Sequence, residues 1–286
     1  MISMRIAPDF LTRWHNEASR LGPFCLGIDP SSALLAKWGI PDTAAGLSQF
    51  CSLVGGWTEN RVAMVKPQIA FFERFGSSGI STLENFVSTM QSRGTLVLMD
   101  AKRGDIGSTV DAYAGAYLDN ASLLRSDGMT ASPYLGLGAL TPLFVKAHDI
   151  GSAVFVVVAS SNPEGIELQK SLHPSGRELS EHIAEEIGIW NSQNDSGAVG
   201  AVIGATRSAE VTALLQLIGN APILLPGFGA QGASFSMLRD LPGPHRLIPT
   251  ASRSVLSAGP TKDAFLLALD HHVEQAAAAI FVKALQ

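Results

Sequence analysis

Eight short apolar runs, rich in β-formers and spaced roughly 20 to 40 residues apart, constrain this chain more than anything else in it. They cover 25–29, 63–70, 95–102, 128–134, 153–160, 198–205, 221–228 and 246–253. Most are continuously apolar rather than alternating, the pattern of parallel strands covered on both faces. Between them lie segments with apolar residues at i, i+3 and i+4, as in 79–94 and 177–190, which read as amphipathic helices. Eight strands alternating with helices predict an α/β fold, a (β/α)8 TIM barrel; a doubly wound open sheet is the alternative. The 286 residues suit one such barrel, and no Pro-, Gly- or Ser-rich linker divides them, so 1–286 reads as a single domain.

Composition narrows the function. A net charge of −5 offers no basic field for nucleic acid and no polybasic membrane anchor. The apolar runs are too short to span a bilayer, and the charged start lacks the apolar core of a signal peptide. A cytoplasmic protein is expected, with no nucleic-acid or membrane partner. Cys25 and Cys51 cannot build a disulfide framework and read as small buried thiols. No HExxH, GxSxG, P-loop or clustered His/Cys pattern occurs. His271 and His272 are adjacent and point apart on a helix, and most of the other histidines read as surface residues. The site is expected to hold no metal and no cofactor. The last segment, 261–286, reads as an amphipathic helix against the barrel wall, with an oligomer interface as the other possibility.

A barrel places function at the C-terminal ends of its strands. Asp29 ends the first run, Lys66 lies in the second, and Asp100 and Lys102 end the third. Strand periodicity aims Asp100 and Lys102 at one face. Asp105 follows after Gly104 lets the chain turn, and Ser108 and Thr109 fall in the first turn of the next helix. Opposite charges about 4 Å apart attract by roughly 4 kcal/mol at an effective dielectric of about 20, so such a set keeps Lys102 protonated. A structural ion pair at a barrel rim is the plain alternative, weakened by four alternating charges at one mouth. At the other end, PGFGAQGA (226–233) supplies Gly227, Gly229 and Gly232 for close backbone approach to an anion, with a helix expected after it. Gln231 adds a donor and an acceptor, and Arg253 closes the eighth run with a fork suited to phosphate.

The string DAKRGDIGSTV (100–110) resembles the active-site signature of the orotidine 5′-phosphate decarboxylases, in the longer variant common in mycobacteria and other bacteria. The likeness continues through LGIDP (26–30), VKPQIAFFE (65–73), TASPYLG (130–136), PGFGAQGA (226–233) and ASRSVL (251–256). It implies a cofactor-free carboxy-lyase that converts orotidine 5′-monophosphate to UMP and CO2 in de novo pyrimidine biosynthesis. Lys102 would protonate C6, Asp100 would face the departing carboxylate, and Lys66 and Asp105 would complete the charged network. Asp29 and Lys66 would hold ribose hydroxyls, Ser132 the pyrimidine, and Gln231 and Arg253 the phosphate. The resemblance also implies a homodimer in which Asp105 and Thr109 serve the neighbouring site. Ser252 departs from the better-known variant, which has glycine there, and the stretch 161–197 exceeds the shorter variant's connection. Two other readings are a Mg²⁺-dependent barrel acting on sugar phosphates and a silent barrel that only binds a nucleotide.

Overall fold

The computed structural model describes residues 8–229 and 232–281. All eight runs form strands: β1 (Cys25–Ile28), β2 (Met64–Pro67), β3 (Leu96–Arg103), β4 (Gly128–Ala131), β5 (Ala153–Ala159), β6 (Val199–Ile203), β7 (Ile223–Pro226) and β8 (Leu247–Ala251). Each pairs in parallel with its sequence neighbour, and β8 pairs back to β1, so the sheet closes into a (β/α)8 barrel. The helices are α1 (Phe10–Leu21), α2 (Ser32–Lys37), α3 (Ala44–Trp57), α4 (Ala70–Glu73), α5 (Gly76–Ser92), α6 (Gly107–Leu118), α7 (Thr141–Ile150), α8 (Glu164–Gln169), α9 (Leu179–Gln193), α10 (Ser208–Ile218), α11 (Arg253–Leu256) and α12 (Lys262–Ile280).

α1 precedes the barrel and closes its N-terminal end. Asp9 caps it by accepting the Thr12 amide, and Phe10 and Trp14 are fully buried among the lower barrel residues. The Phe10 ring meets Phe155 of β5 edge-on at 5.4 Å. Arg13 reaches Asp127, whose other oxygen accepts the Val97 amide at 2.8 Å. The charges of this end are thus spent on fixing strand starts, which leaves the opposite end free for chemistry.

α12 packs on the wall as expected, burying Phe265, Leu269, His272, Ala276 and Ala279. These positions recur at helical spacing, so His272 falls on the apolar stripe. His272, one of the adjacent pair, is thereby buried.

Two connections differ from the sequence reading. Among the described residues no α-helix lies between β7 and β8; the chain instead makes a 3-10 turn over Phe235–Arg239 and another over Pro244–Arg246. Pro242, Gly243 and Pro244 leave that segment no room for a regular helix. The stretch 161–197 resolves into α8, a turn bridged between Leu172 and Glu178, and α9, the wall helix after β5. α8 is tied to the barrel through Gln169, whose side chain accepts the Ser160 amide at 3.2 Å and bonds Arg207 of the β6 connection. Among the described residues no helix is long and apolar enough to cross a membrane.

Candidate active site

Asp100 is the hub. Its carboxylate is buried, and each oxygen receives two hydrogen bonds. Oδ1 accepts from Lys102 Nζ at 2.5 Å and from the Thr130 hydroxyl at 2.9 Å. Oδ2 accepts from Lys66 Nζ at 2.6 Å and from Gln68 Nε2 at 3.2 Å. Burial pushes the Asp100 carboxyl up, but the two ammonium groups outweigh it and hold the acid below its ordinary value. Burial likewise pulls the Lys66 ammonium down, and Asp100, then Asp29, more than restore it, so it sits above the ordinary lysine value.

The two lysines differ in access. The Lys66 side chain is 9% exposed and the Lys102 side chain 48%, although both bond the same carboxylate. Lys66 is therefore held in the barrel mouth while Lys102 projects into open space.

Strand alternation is not what aims Lys102. The β3–β4 register runs Met99 opposite Met129 and then Arg103 opposite Ala131, so β3 carries extra residues in a bulge. Lys102 sits in that bulge with φ 47°, left-handed and costly by about 1 kcal/mol or more for a residue with a side chain. Its amide donates to Thr130 Oγ1 at 2.9 Å, which fixes the turn and links backbone to carboxylate through one hydroxyl. Gly104 then passes so close to β4 that a Cβ there would lie 2.4 Å from the Ser132 carbonyl. Gln68 and Thr130 gave no signal in the sequence, being uncharged residues at strand ends.

Two cavities are lined by the lysines of this hub, one by Lys66 and the other by Lys102. One, of about 100 Å³, is lined by Gly27, Asp29, Lys66, Gly227, Thr250, Ser252 and Arg253 among others. Asp29 Oδ1 and Ser252 Oγ are buried beside it without a hydrogen-bond partner. The room for the Ser252 side chain comes from Gly27, where a Cβ would lie 2.8 Å from Ser252 Cβ. Arg253 is exposed at the start of α11, and Gly227 and Gly229 take φ of 125° and 74°. Gln231 lies outside the described residues.

The second cavity, of about 660 Å³, is largely apolar. Lys102 and Ser132 stand at it with Pro133, Leu137, Val158 and Ile183. Asp105 and Thr109 do not join the hub: Asp105 Oδ1 accepts the neighbouring Ile106 amide at 2.8 Å, and Thr109 is exposed on α6. Ile106 between them is 63% exposed. Among the described residues no three His, Cys, Asp or Glu side chains are grouped to hold a metal ion.

Residues 22–264 match the model of the orotidine 5′-phosphate decarboxylase / HUMPS family. A Myxococcus xanthus orotidine 5′-phosphate decarboxylase is 44% identical over 274 residues, covering 94% of this chain and 95% of the relative. One from Salinispora tropica is 45% identical over 274 residues, covering 95% and 98%. Among solved structures, a Streptomyces avermitilis protein described as a candidate orotidine 5′-phosphate decarboxylase superposes with a TM-score of 0.89 at 41% identity, over 98% of this chain and 99% of that one. Leishmania donovani OMP decarboxylase gives a TM-score of 0.79 at 30% identity, over 96% and 99%.

Proposed function

The chain belongs to the orotidine 5′-phosphate decarboxylase family, a carboxy-lyase of pyrimidine biosynthesis, and we propose that Lys102, Asp100 and Lys66 perform its reaction, the conversion of orotidine 5′-monophosphate to UMP and CO2. The observation that carries this reading is one buried carboxylate bonded to two ammonium groups, of which the more exposed, that of Lys102, stands at the large apolar cavity.

The substrate would lie across both cavities, with its phosphate by Gly227, Gly229 and Arg253, its ribose by Asp29 and Lys66, and its ring by Ser132 and Lys102. Asp29 Oδ1 and Ser252 Oγ have no partner in the free protein, so hydroxyl or phosphate groups arriving there satisfy a standing demand. Gln231 belongs to the same phosphate set by its place in the sequence.

In the reaction the C6–carboxylate bond breaks, CO2 departs, and the electron pair stays on C6 in an sp² orbital that the ring delocalises poorly. The Lys102 ammonium, held by Asp100 on a backbone that Thr130 fixes, stabilises that charge more than it stabilises the ground state. It then gives C6 a proton, forming the C–H bond of UMP, and recovers its own from solvent. Asp100 keeps its charge throughout and sits beside the departing carboxylate, which adds ground-state repulsion. The apolar walls of the larger cavity suit the release of neutral CO2.

The working unit in this reading is a homodimer of single-domain chains spanning 1–286. The hydrogen bonds of Asp100 go to neither Asp105 nor Thr109, and Ile106, Tyr134, Leu135 and Val145 are exposed. Those apolar side chains, just before α6, on α7 and in the β4 connection, would be covered by a second copy, with Asp105 and Thr109 delivered to its site.

Loss of orotidine 5′-monophosphate absorbance, with UMP formed in equal amount and unchanged by EDTA, is the expected assay result. No loss at micromolar protein rejects the reading, and EDTA-sensitive turnover favours the metal-dependent alternative.

A further inference from the structure

His272 lies on α12, outside the charged hub, yet it is buried directly beneath the glycine-rich loop. Its Nδ1 stands 2.8 Å from the Ala268 carbonyl oxygen, which can only accept, so Nδ1 carries the proton. In the neutral ring Nε2 is then an acceptor, and the Ser254 hydroxyl 2.8 Å away donates to it. Ser254 belongs to α11, next to Arg253.

The pair supports the loop from below. A Cβ on Gly229 would lie 2.4 Å from Ser254 Oγ and 3.2 Å from His272 Nε2, so the loop backbone rests on both side chains. Phe228 stacks on Phe235 with centroids 4.6 Å apart, and Phe235 meets the His272 ring edge-on at 5.8 Å. Burial is the main influence holding the His272 imidazole below its ordinary value, which favours the neutral form this bonding needs. One histidine thus touches both strands' worth of anion-binding backbone, the β7 loop through Gly229 and the β8 end through Ser254.

We propose that Ser254 and His272 are positioning residues that set Gly229 and Arg253 in register for the substrate's phosphate. This rests on the reading of that cavity as the phosphate end. The pair makes no contact with Asp100 or Lys102, so it acts on binding of the phosphate and not on the chemical step.

The test uses the full-length protein and compares inhibition of turnover by UMP with inhibition by uridine, which lacks only the phosphate. In Ser254→Ala and His272→Leu the KM for orotidine 5′-monophosphate and the Ki for UMP should rise about tenfold, the scale of one lost buried hydrogen bond. The Ki for uridine and kcat should stay within about twofold. His272→Gln, which keeps an acceptor near Nε2, should stay close to the parent. Ser254→Ala removes one oxygen and decides the matter if His272→Leu does not fold. Unchanged UMP inhibition in Ser254→Ala, or a parallel loss of uridine binding, overturns the proposal. Arg253→Ala separates the two claims: if it weakens UMP no more than uridine, the phosphate reading itself is wrong. If Arg253→Ala is selective for UMP and Ser254→Ala has no effect, only the positioning role falls.

Discussion

Asp100 is a buried anion whose four hydrogen-bond partners come from β2, β3, β4 and the turn after β2. Removing its charge leaves Lys66 buried without a counter-ion other than Asp29. Asp100→Asn should therefore cost about 3 kcal/mol of stability, the usual scale for breaking a buried pair from one side. Urea unfolding measures it, and a midpoint equal to the parent's would contradict the account. The pH dependence follows from the direction of both shifts. The Asp100 contribution is present above its unfolded value of 3.8 and fades only as pH falls below it. The Lys66 contribution is present below 10.5 and fades only as pH rises past it. The stability gap between parent and Asp100→Asn should thus be flat from about pH 5 to about pH 9. A gap that changes severalfold inside that window would show that another group holds these charges. Asp29, Lys66, Asp100 and Lys102 were legible in the sequence because a charge ending an apolar run is expensive unless it is paired or working. Thr130 and Gln68 were not, since a neutral side chain at a strand end looks the same whether or not it bonds anything.

At the scale of elements, two glycines do separable jobs. Gly104 lets the end of β3 lie against β4, where a Cβ would meet the Ser132 carbonyl at 2.4 Å. Gly104→Ala must displace backbone beside Lys102, so kcat should fall by about tenfold or more with a smaller change in KM. Gly229→Ala places its Cβ 2.4 Å from Ser254 Oγ at φ 74°, which disturbs the phosphate end instead. There KM should rise and kcat change less. Steady-state kinetics of the two variants decide, and an identical pattern in both would contradict the division. The strands were readable because continuous apolar runs betray a sheet covered on both faces. The bulge that turns Lys102 was not, because nothing in MDAKRGD distinguishes extended backbone from a left-handed turn. The missing helix after β7 had a visible cue in Pro242, Gly243 and Pro244, which the expectation of a regular barrel overrode. His272 also had one, lying seven residues after Phe265 on the buried stripe of α12.

Across the whole molecule the two barrel ends divide the work. Phe10, Trp14 and the Arg13–Asp127 pair close the lower end, and every hydrogen-bonding group of the candidate site lies at the upper one. The dimer reading belongs at this scale. If Asp105 serves the neighbouring site, mixing inactive Lys102→Ala with inactive Asp105→Ala subunits should restore activity, since each hybrid holds one site with both groups intact. About a quarter of parental activity is expected after complete subunit exchange. No recovery would place Asp105 in its own subunit's site or outside catalysis. The outline of the barrel was legible from the spacing of its strands, but which side chains are exposed was not, because exposure depends on the closed surface and not on the local pattern.

Lys102→Ala tests the central claim most directly. Single-turnover conversion of orotidine 5′-monophosphate, followed by absorbance with UMP affinity measured alongside, should show turnover lost and UMP still bound. A Lys102→Ala protein that forms UMP at the parental rate would contradict the account.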